Sequence, residues 1–261
     1  MKNKTILDGL DPELVGRMVS RRDAITKGMK VGAAVASAPV ALGMMAGETF
    51  GQGAALPAQI VEVLNFALLL EMREDDLYTT ANKTRGLIPA SDRKIFERVG
   101  KNEAAHVKLL RAVLGSQAIQ KPAFDQTGGG LFPDIFSNYQ TFTAVSQVSE
   151  ETGVRAYKGQ AGNLMSNDKL LTTALQIHSV EARHVSEIRR IRGQKGWITG
   201  DSRGNLPASV QATYDGEGNM TQGGADLSTL AGVPQSAISE AFDEPLTREE
   251  VMAIVRPFIR S

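Results

Sequence analysis

Residues 103–106 read Glu-Ala-Ala-His and residues 181–184 read Glu-Ala-Arg-His. In each, a carboxylate and an imidazole stand three positions apart, which on a helix places them on one face a turn from each other, where both reach one cation. Working outward, each motif has the same upstream neighbours. Glu71 is followed by Tyr78 seven residues on and by Glu103 at 32, and Glu150 by Tyr157 at seven and Glu181 at 31. One Glu-x-x-His is a weak signal, but the duplicated constellation describes two similar halves, each offering a lone glutamate on one helix and the paired motif on the next.

The surrounding periodicity supplies those helices. The first pattern opens at Pro57, which the first helical turn accepts, carries the stripe Val61, Leu64, Leu68 and Tyr78, and stops at Gly86. The second opens at the caps Ser91 or Asp92 and runs through Phe96, Val99, Leu110 and Val113 to Gly115. The third runs from Tyr139 to Leu164, and the fourth from Asp168 through Leu170, Leu171 and Ile188 to Gly193. Short loops inside each pair make antiparallel hairpins, and Ser116 to Asn138, roughly 23 residues at up to about 3.3 Å each, can cross a bundle from end to end. In each hairpin the lone glutamate and the paired motif stand at similar heights from the loop. The expected fold is all-α: a four-helix bundle of two helical hairpins joined by a long crossover over residues 55–195. Residues 196–261 are expected to pack on it as a loop-rich C-terminal extension, with a short final helix from Thr247 to Ile259.

Composition narrows the chemistry. The chain has 29 basic and 29 acidic residues, so no positive excess exists to displace counterions from nucleic acid, and no nucleic-acid partner is expected. It has no cysteine, which removes disulfide frameworks, thiolate zinc sites, iron–sulfur clusters and cysteine nucleophiles. Any metal must be held by oxygen and imidazole, and only His106, His178 and His184 supply the latter.

Residues 1–54 resemble a twin-arginine export signal. Arg21 and Arg22 precede an Ala/Gly/Val-rich stretch, Val31 to Ala46, of about 16 residues, shorter than the roughly 20 that span a bilayer and broken by Pro39. Ala24 stands where the usual signal has an aromatic residue, and Gly53-Ala54-Ala55 offers small residues for cleavage. The chain is therefore expected outside the cytoplasm, in the periplasm or its equivalent, delivered by the export machinery.

The segments LNFALLLEMREDDLY, NEAAHVKLL, SEETGVRAYKG, VEARHVSEIR and FDEPLTREEVMAIVRPFI resemble the ferritin-like superfamily, and more narrowly the exported ferritin-like proteins related to the desiccation-associated group. The arrangement is that of di-iron and di-manganese carboxylate bundles. It implies two ions, iron or manganese, bridged by Glu103 and Glu181 and completed by Glu71, His106, Glu150 and His184. Bridging carboxylates neutralise adjacent cations and neutral imidazoles supply nitrogen donors; without metal, four core carboxylates repel unless protonated. Glu151 competes with Glu150, which alone keeps the seven-residue interval to tyrosine, and Glu74 and Asp75 add acid beyond Glu71.

His178, one turn before Glu181, reads as a satisfied histidine or an outer donor. Tyr78 and Tyr157 read as core residues with tethered hydroxyls, as hydrogen-bond partners of a ligand, or as carriers in radical or electron transfer. Arg189, Arg190, Arg192 and Lys195 read as a solvated helix end. The loop Asp215-Gly-Glu-Gly-Asn219 lacks the distal glutamate and helices of a calcium loop. Two functions fit. One is a redox metalloprotein, ferroxidase-like or peroxidase-like, acting on dioxygen or peroxide in stress protection, with no catalytic residue assigned beyond the ligands. The other is a non-catalytic exported protein whose metal only fastens the bundle. Association into a homo-oligomer or cage is left open.

Overall fold

The computed structural model describes residues 56–260, so the signal-like segment lies outside the described residues. Four long helices form the bundle: α1 (Ala58–Lys83), α2 (Arg93–Leu114), α3 (Tyr139–Ala161) and α4 (Asp168–Ile191). Their ends follow local chemistry. Asn138 and Asn167 accept backbone N–H bonds from Gln140 and Leu170, opening α3 and α4. Gly115, with φ 55°, closes α2 in a conformation that side chains resist. Helix α1 packs along α2 and α3 along α4, giving the two expected hairpins. Among the described residues no helix is long and apolar enough to cross a membrane.

Every long helix carries apolar residues toward both ends and its buried acids between. One apolar cluster gathers Leu77, Tyr78, Phe96, Phe142, Val145 and Ile188. The other gathers Leu64, Leu68, Leu110, Tyr157, Leu170 and Ile177. Glu71, Glu103, Glu150 and Glu181 fall between these stretches on their respective helices, all 0 % exposed. The carboxylates are thus a polar belt closed above and below by aliphatic and aromatic packing.

The crossover is tied down rather than free. Phe124 forms an antiparallel bridge with Ile259, Asp125 N–H donates to Phe258 O at 2.9 Å, and Arg260 N–H donates to Ala123 O at 3.0 Å. Beyond α4 the extension contains a two-residue hairpin, β1 (Thr221–Gln222) with β2 (Ala225–Asp226), then α5 (Gln235–Ser239) and α6 (Arg248–Val255). Thr247 and Glu250 form a reciprocal capping box on α6. The final helix is shorter than expected: it gives way at Arg256 to a tight turn through Phe258, because Pro257 has no N–H to continue the ladder.

The extension reshapes one helix. From Phe142 to Tyr157, α3 is buried on every side, including Thr143, Ser146, Gln147, Thr152 and Arg155. Gln147 Nε2 donates to Tyr214 Oη at 3.2 Å, and Thr152 lies 3.4 Å from Thr213, hydroxyl to hydroxyl. Arg155 Nε lies 2.8 Å from Glu217 Oε1, while its other nitrogens donate to the carbonyls of Thr213 (2.6 Å) and Asp215 (2.8 Å). Further along, α3 meets the chain just before α6 so closely that a Cβ on Gly159 would lie 2.0 Å from Leu246 O. Only glycine allows that approach.

Candidate metal centre

The belt brings together the six side chains singled out by the repeat. Ligand atoms of Glu71, Glu103, His106 and Glu181 lie within 4.8 Å of one another, as do those of Glu103, Glu150, Glu181 and His184. Glu103 and Glu181 belong to both groups. Around His106 Nδ1 stand Glu71 Oε2 at 3.0 Å, Glu103 Oε2 at 3.3 Å and Glu181 Oε1 at 3.2 Å. Around His184 Nδ1 stand Glu103 Oε1 at 3.0 Å, Glu150 Oε2 at 3.1 Å and Glu181 Oε2 at 3.8 Å. Each shared glutamate therefore presents one oxygen to each imidazole, the disposition of a bridge between two neighbouring cations.

The tyrosines cross between halves. Tyr78 of the first hairpin donates its hydroxyl to Glu150 of the second, and Tyr157 of the second donates to Glu71 of the first. Both rings sit in the apolar clusters with their hydroxyls tethered, as the core reading of these residues has it. Beside His184, the side-chain amide of Asn102 lies 2.9 Å from Nε2. The amide nitrogen is the atom that faces the ring, so Asn102 Nδ2 donates to Nε2 when the imidazole is neutral.

The donor set fits a pair of divalent cations. Four carboxylates balance two such ions, and the imidazoles complete the shells without adding charge. Both oxygens of Glu181, and Oε1 of Glu103, are buried without a hydrogen-bond partner although they approach imidazole nitrogens. Buried, charged and unbonded oxygens are costly unless a cation satisfies them. Without a cation, protons take that place. Burial, with the charge of Glu150, raises the Glu103 carboxyl to about 7, and burial raises Glu150 to about 8 against the pull of His184. Burial would also raise Glu71, but His106 holds it below the ordinary range. Burial disfavours charge on His106 and His184, yet the surrounding carboxylates outweigh it and lift both well above the usual histidine value.

Several neighbouring residues take other roles. Glu151 turns away from the belt into an ion pair with Arg189 and lies beside Gln147 and Tyr214. Arg189 is accordingly buried, not part of a solvated helix end; periodicity alone could not show that its partner stands on α3. His178 is half-buried near Asp243 and Lys158 and belongs to neither convergent group. Glu217, in the loop that lacks the distal glutamate of a calcium site, is the buried partner of Arg155. Glu74 is buried beside the belt, and its carboxyl is pushed well up by burial and by Glu150, Glu181, Glu71 and Glu103. The sequence marked it as extra acid one turn beyond Glu71; Asn102 carried no such mark.

A comparison with curated proteins finds no match. A family model described as a ferritin-like domain matches residues 59–194, more than half of the chain and every helix of the belt. The repeat, the two-hairpin bundle and this match agree, and the chain belongs to the ferritin-like domain family.

Proposed function

We propose that this protein holds two metal ions, iron or manganese, through Glu71, Glu103, His106, Glu150, Glu181 and His184, and that the iron-loaded centre oxidises ferrous iron or consumes peroxide or oxygen in stress protection. The observation that carries this reading is the pairing of Glu103 and Glu181, each with one oxygen toward His106 and one toward His184. A bound pair of redox metal ions supplies one-electron exchange with dioxygen or peroxide. The chain's own residues do the rest. The carboxylates neutralise charge, the imidazoles give up their protons to become donors, and Tyr78 and Tyr157 fix the outer glutamates.

Approach to the centre is available on one side. A groove of about 510 Å³ between α2 and α4 is lined by Lys94, Arg98, Asn102, Arg183 and His184, which admits a small oxidant or an anion to the edge of the His184 ring. Below Tyr157, Leu64, Leu110, Leu164 and Ile177 line a cavity of about 20 Å³ suited to an apolar gas rather than an ion. With no cysteine in the chain, electrons come from the iron substrate or an external donor.

The test is metal analysis joined to oxidation. Full-length protein should bind two ions per chain, and anaerobic loading with ferrous iron followed by air should raise a near-ultraviolet absorption band within seconds. Glu103→Ala or Glu181→Ala should abolish binding of the pair, whereas Glu151→Gln should leave the stoichiometry at two. A single ion in the wild type defeats the dinuclear reading. Two ions that raise stability but give no band on aeration establish the structural alternative instead.

Export by the twin-arginine route, with loss of residues 1–54, is part of the proposal and is motivated by Arg21, Arg22 and the short apolar stretch after them. Arg21→Lys with Arg22→Lys should hold a full-length precursor in the cytoplasm. Intact wild-type chains in the cytoplasmic fraction would refute export.

A further inference from the structure

The two halves of the belt differ at one position that matters. Three residues beyond Glu71 stands Glu74; three residues beyond its counterpart Glu150 stands Gly153. The missing side chain on α3 makes room for the extra one on α1. A Cβ at Gly153 would lie 3.6 Å from Glu74 Oε1 and 3.7 Å from Glu181 Oε2, so both carboxylates face the same bare stretch of backbone. Glu181 Oε2 is fully buried and has no hydrogen-bond partner.

We propose that Glu74 is a seventh protein donor to the metal centre, a fifth carboxylate that swings across Gly153 to the ion on the His184 side. This rests on the dinuclear reading above. Glu74 lies outside both convergent groups as placed, but after burial the charges that act on it most strongly are Glu150 and Glu181, both members of the group around His184. The opposite half has no equivalent, because Gly153 carries no donor. Room to move exists as well: Glu74, Ser149, Thr152 and Gly153, with Leu70 and Val255, border a cavity of about 10 Å³, the size of one water that a moving carboxylate displaces. Glu74 is the acid that acts most strongly on its buried neighbour Arg73, yet the two do not meet at contact distance. Among the described residues no ion pair joins them, and Arg73 instead donates to Ser149 Oγ at 2.7 Å and stacks its guanidinium 4.0 Å from the Phe258 ring centre.

A donor present in one half makes the two ions inequivalent, so they should load in order, the His184-side ion first. The test is a titration of the full-length apo protein with manganese(II), following free ion by paramagnetic resonance. Wild type should show two classes of site. In Glu74→Gln, which keeps the shape and removes the charge, the tighter class should weaken by about tenfold or more and the weaker should stay, merging the two. Gly153→Ala, which obstructs the crossing without removing a carboxylate, should weaken the same class. Apo Glu74→Gln should melt no lower than apo wild type, since a buried acid has been removed. An unchanged isotherm, or equal weakening of both classes, overturns the proposal. So does unchanged binding with a lower apo melting point, which makes Glu74 a structural counter-charge to Arg73. A wild type that binds fewer than two ions defeats the dinuclear reading itself, a result separable from all of these.

Discussion

Raising the pH from 5 to 8 should destabilise the metal-free protein and stabilise the metal-loaded one, so the gap between their melting temperatures opens from near zero to several degrees. The sign follows from where protons sit. In the folded apo protein Glu103 and Glu150 titrate near 7 and 8, above the ordinary carboxylate value of about 4.3, so between these limits the folded state holds more protons than the unfolded state. His106 and His184, raised above their usual value of about 6.5, act in the same direction: their contribution is complete below that value and fades as pH rises past it. Glu71, held low, opposes them only at acid pH, where its contribution is lost on protonation. Metal binding needs every one of these groups deprotonated, and its affinity rises over the same range. The histidines therefore compete with metal through neutral pH and above, rather than from about 6.5 downward as an unperturbed imidazole would.

At a hundredfold excess over the dissociation constant, metal contributes about 2.7 kcal/mol. For a chain of this size that is roughly 5–10 °C. Thermal melts of apo and manganese-loaded protein at intervals from pH 5 to 8 measure the gap directly. A gap that stays constant with pH would mean that protons and metal do not share these groups, and equal melting points at pH 7 would place the metal elsewhere. Proton release on loading, read with a pH indicator at pH 7, should be at least about two per chain, from the imidazoles alone.

The second large effect belongs to Arg155. Its guanidinium is buried against Glu217 and three backbone carbonyls, those of Thr213, Asp215 and Glu244. Arg155→Ala strands Glu217 in a dry setting that already lifts its carboxyl to about 7 through burial, against the pull of Arg155. Breaking one side of such a pair costs about 3–5 kcal/mol, or on the order of 10 °C in melting temperature. Glu217→Gln should cost less, because Arg155 keeps its carbonyl acceptors. The double change should cost less than the two single losses together. Metal stoichiometry should remain two, and limited proteolysis should cut the freed extension between residues 196 and 246. Unchanged melting and resistance to cleavage would show that the extension holds without this anchor.

The bundle was legible because its signals are local. Glycine stops and apolar spacing each act within a turn or two, and a constellation that occurs twice marks the faces that meet. What surrounds α3 was not legible for the opposite reason. Gln147, Thr152 and Arg155 look like a solvated face, and only a segment about 60 residues downstream turns them inward. Arg189 misled in the same way, since a helix-terminal arginine is ordinarily wet and its partner Glu151 lies on another helix. The convergence of the four belt glutamates could be anticipated from the repeat, but the crossing of Tyr78 to Glu150 and Tyr157 to Glu71 could not. Interval counting says that a tyrosine accompanies each glutamate, not whose glutamate it holds.

That crossing bears on how such a chain can arise. A single hairpin carrying glutamate, tyrosine and Glu-x-x-His makes its own glutamate–histidine contacts, but completes none of those made by its tyrosine or by the second oxygen of its inner glutamate. Two identical copies related by a twofold axis complete all of them, since each would lend its tyrosine to the other's glutamate and one oxygen of its inner glutamate to the other's histidine. The present chain thus has the logic of a symmetric dimer written into one polypeptide. Joining the copies by the crossover loop releases them from identity, and a difference such as Glu74 against Gly153, or Asn102 against Val180, which a true homodimer would be forced to duplicate, can then persist on one side only.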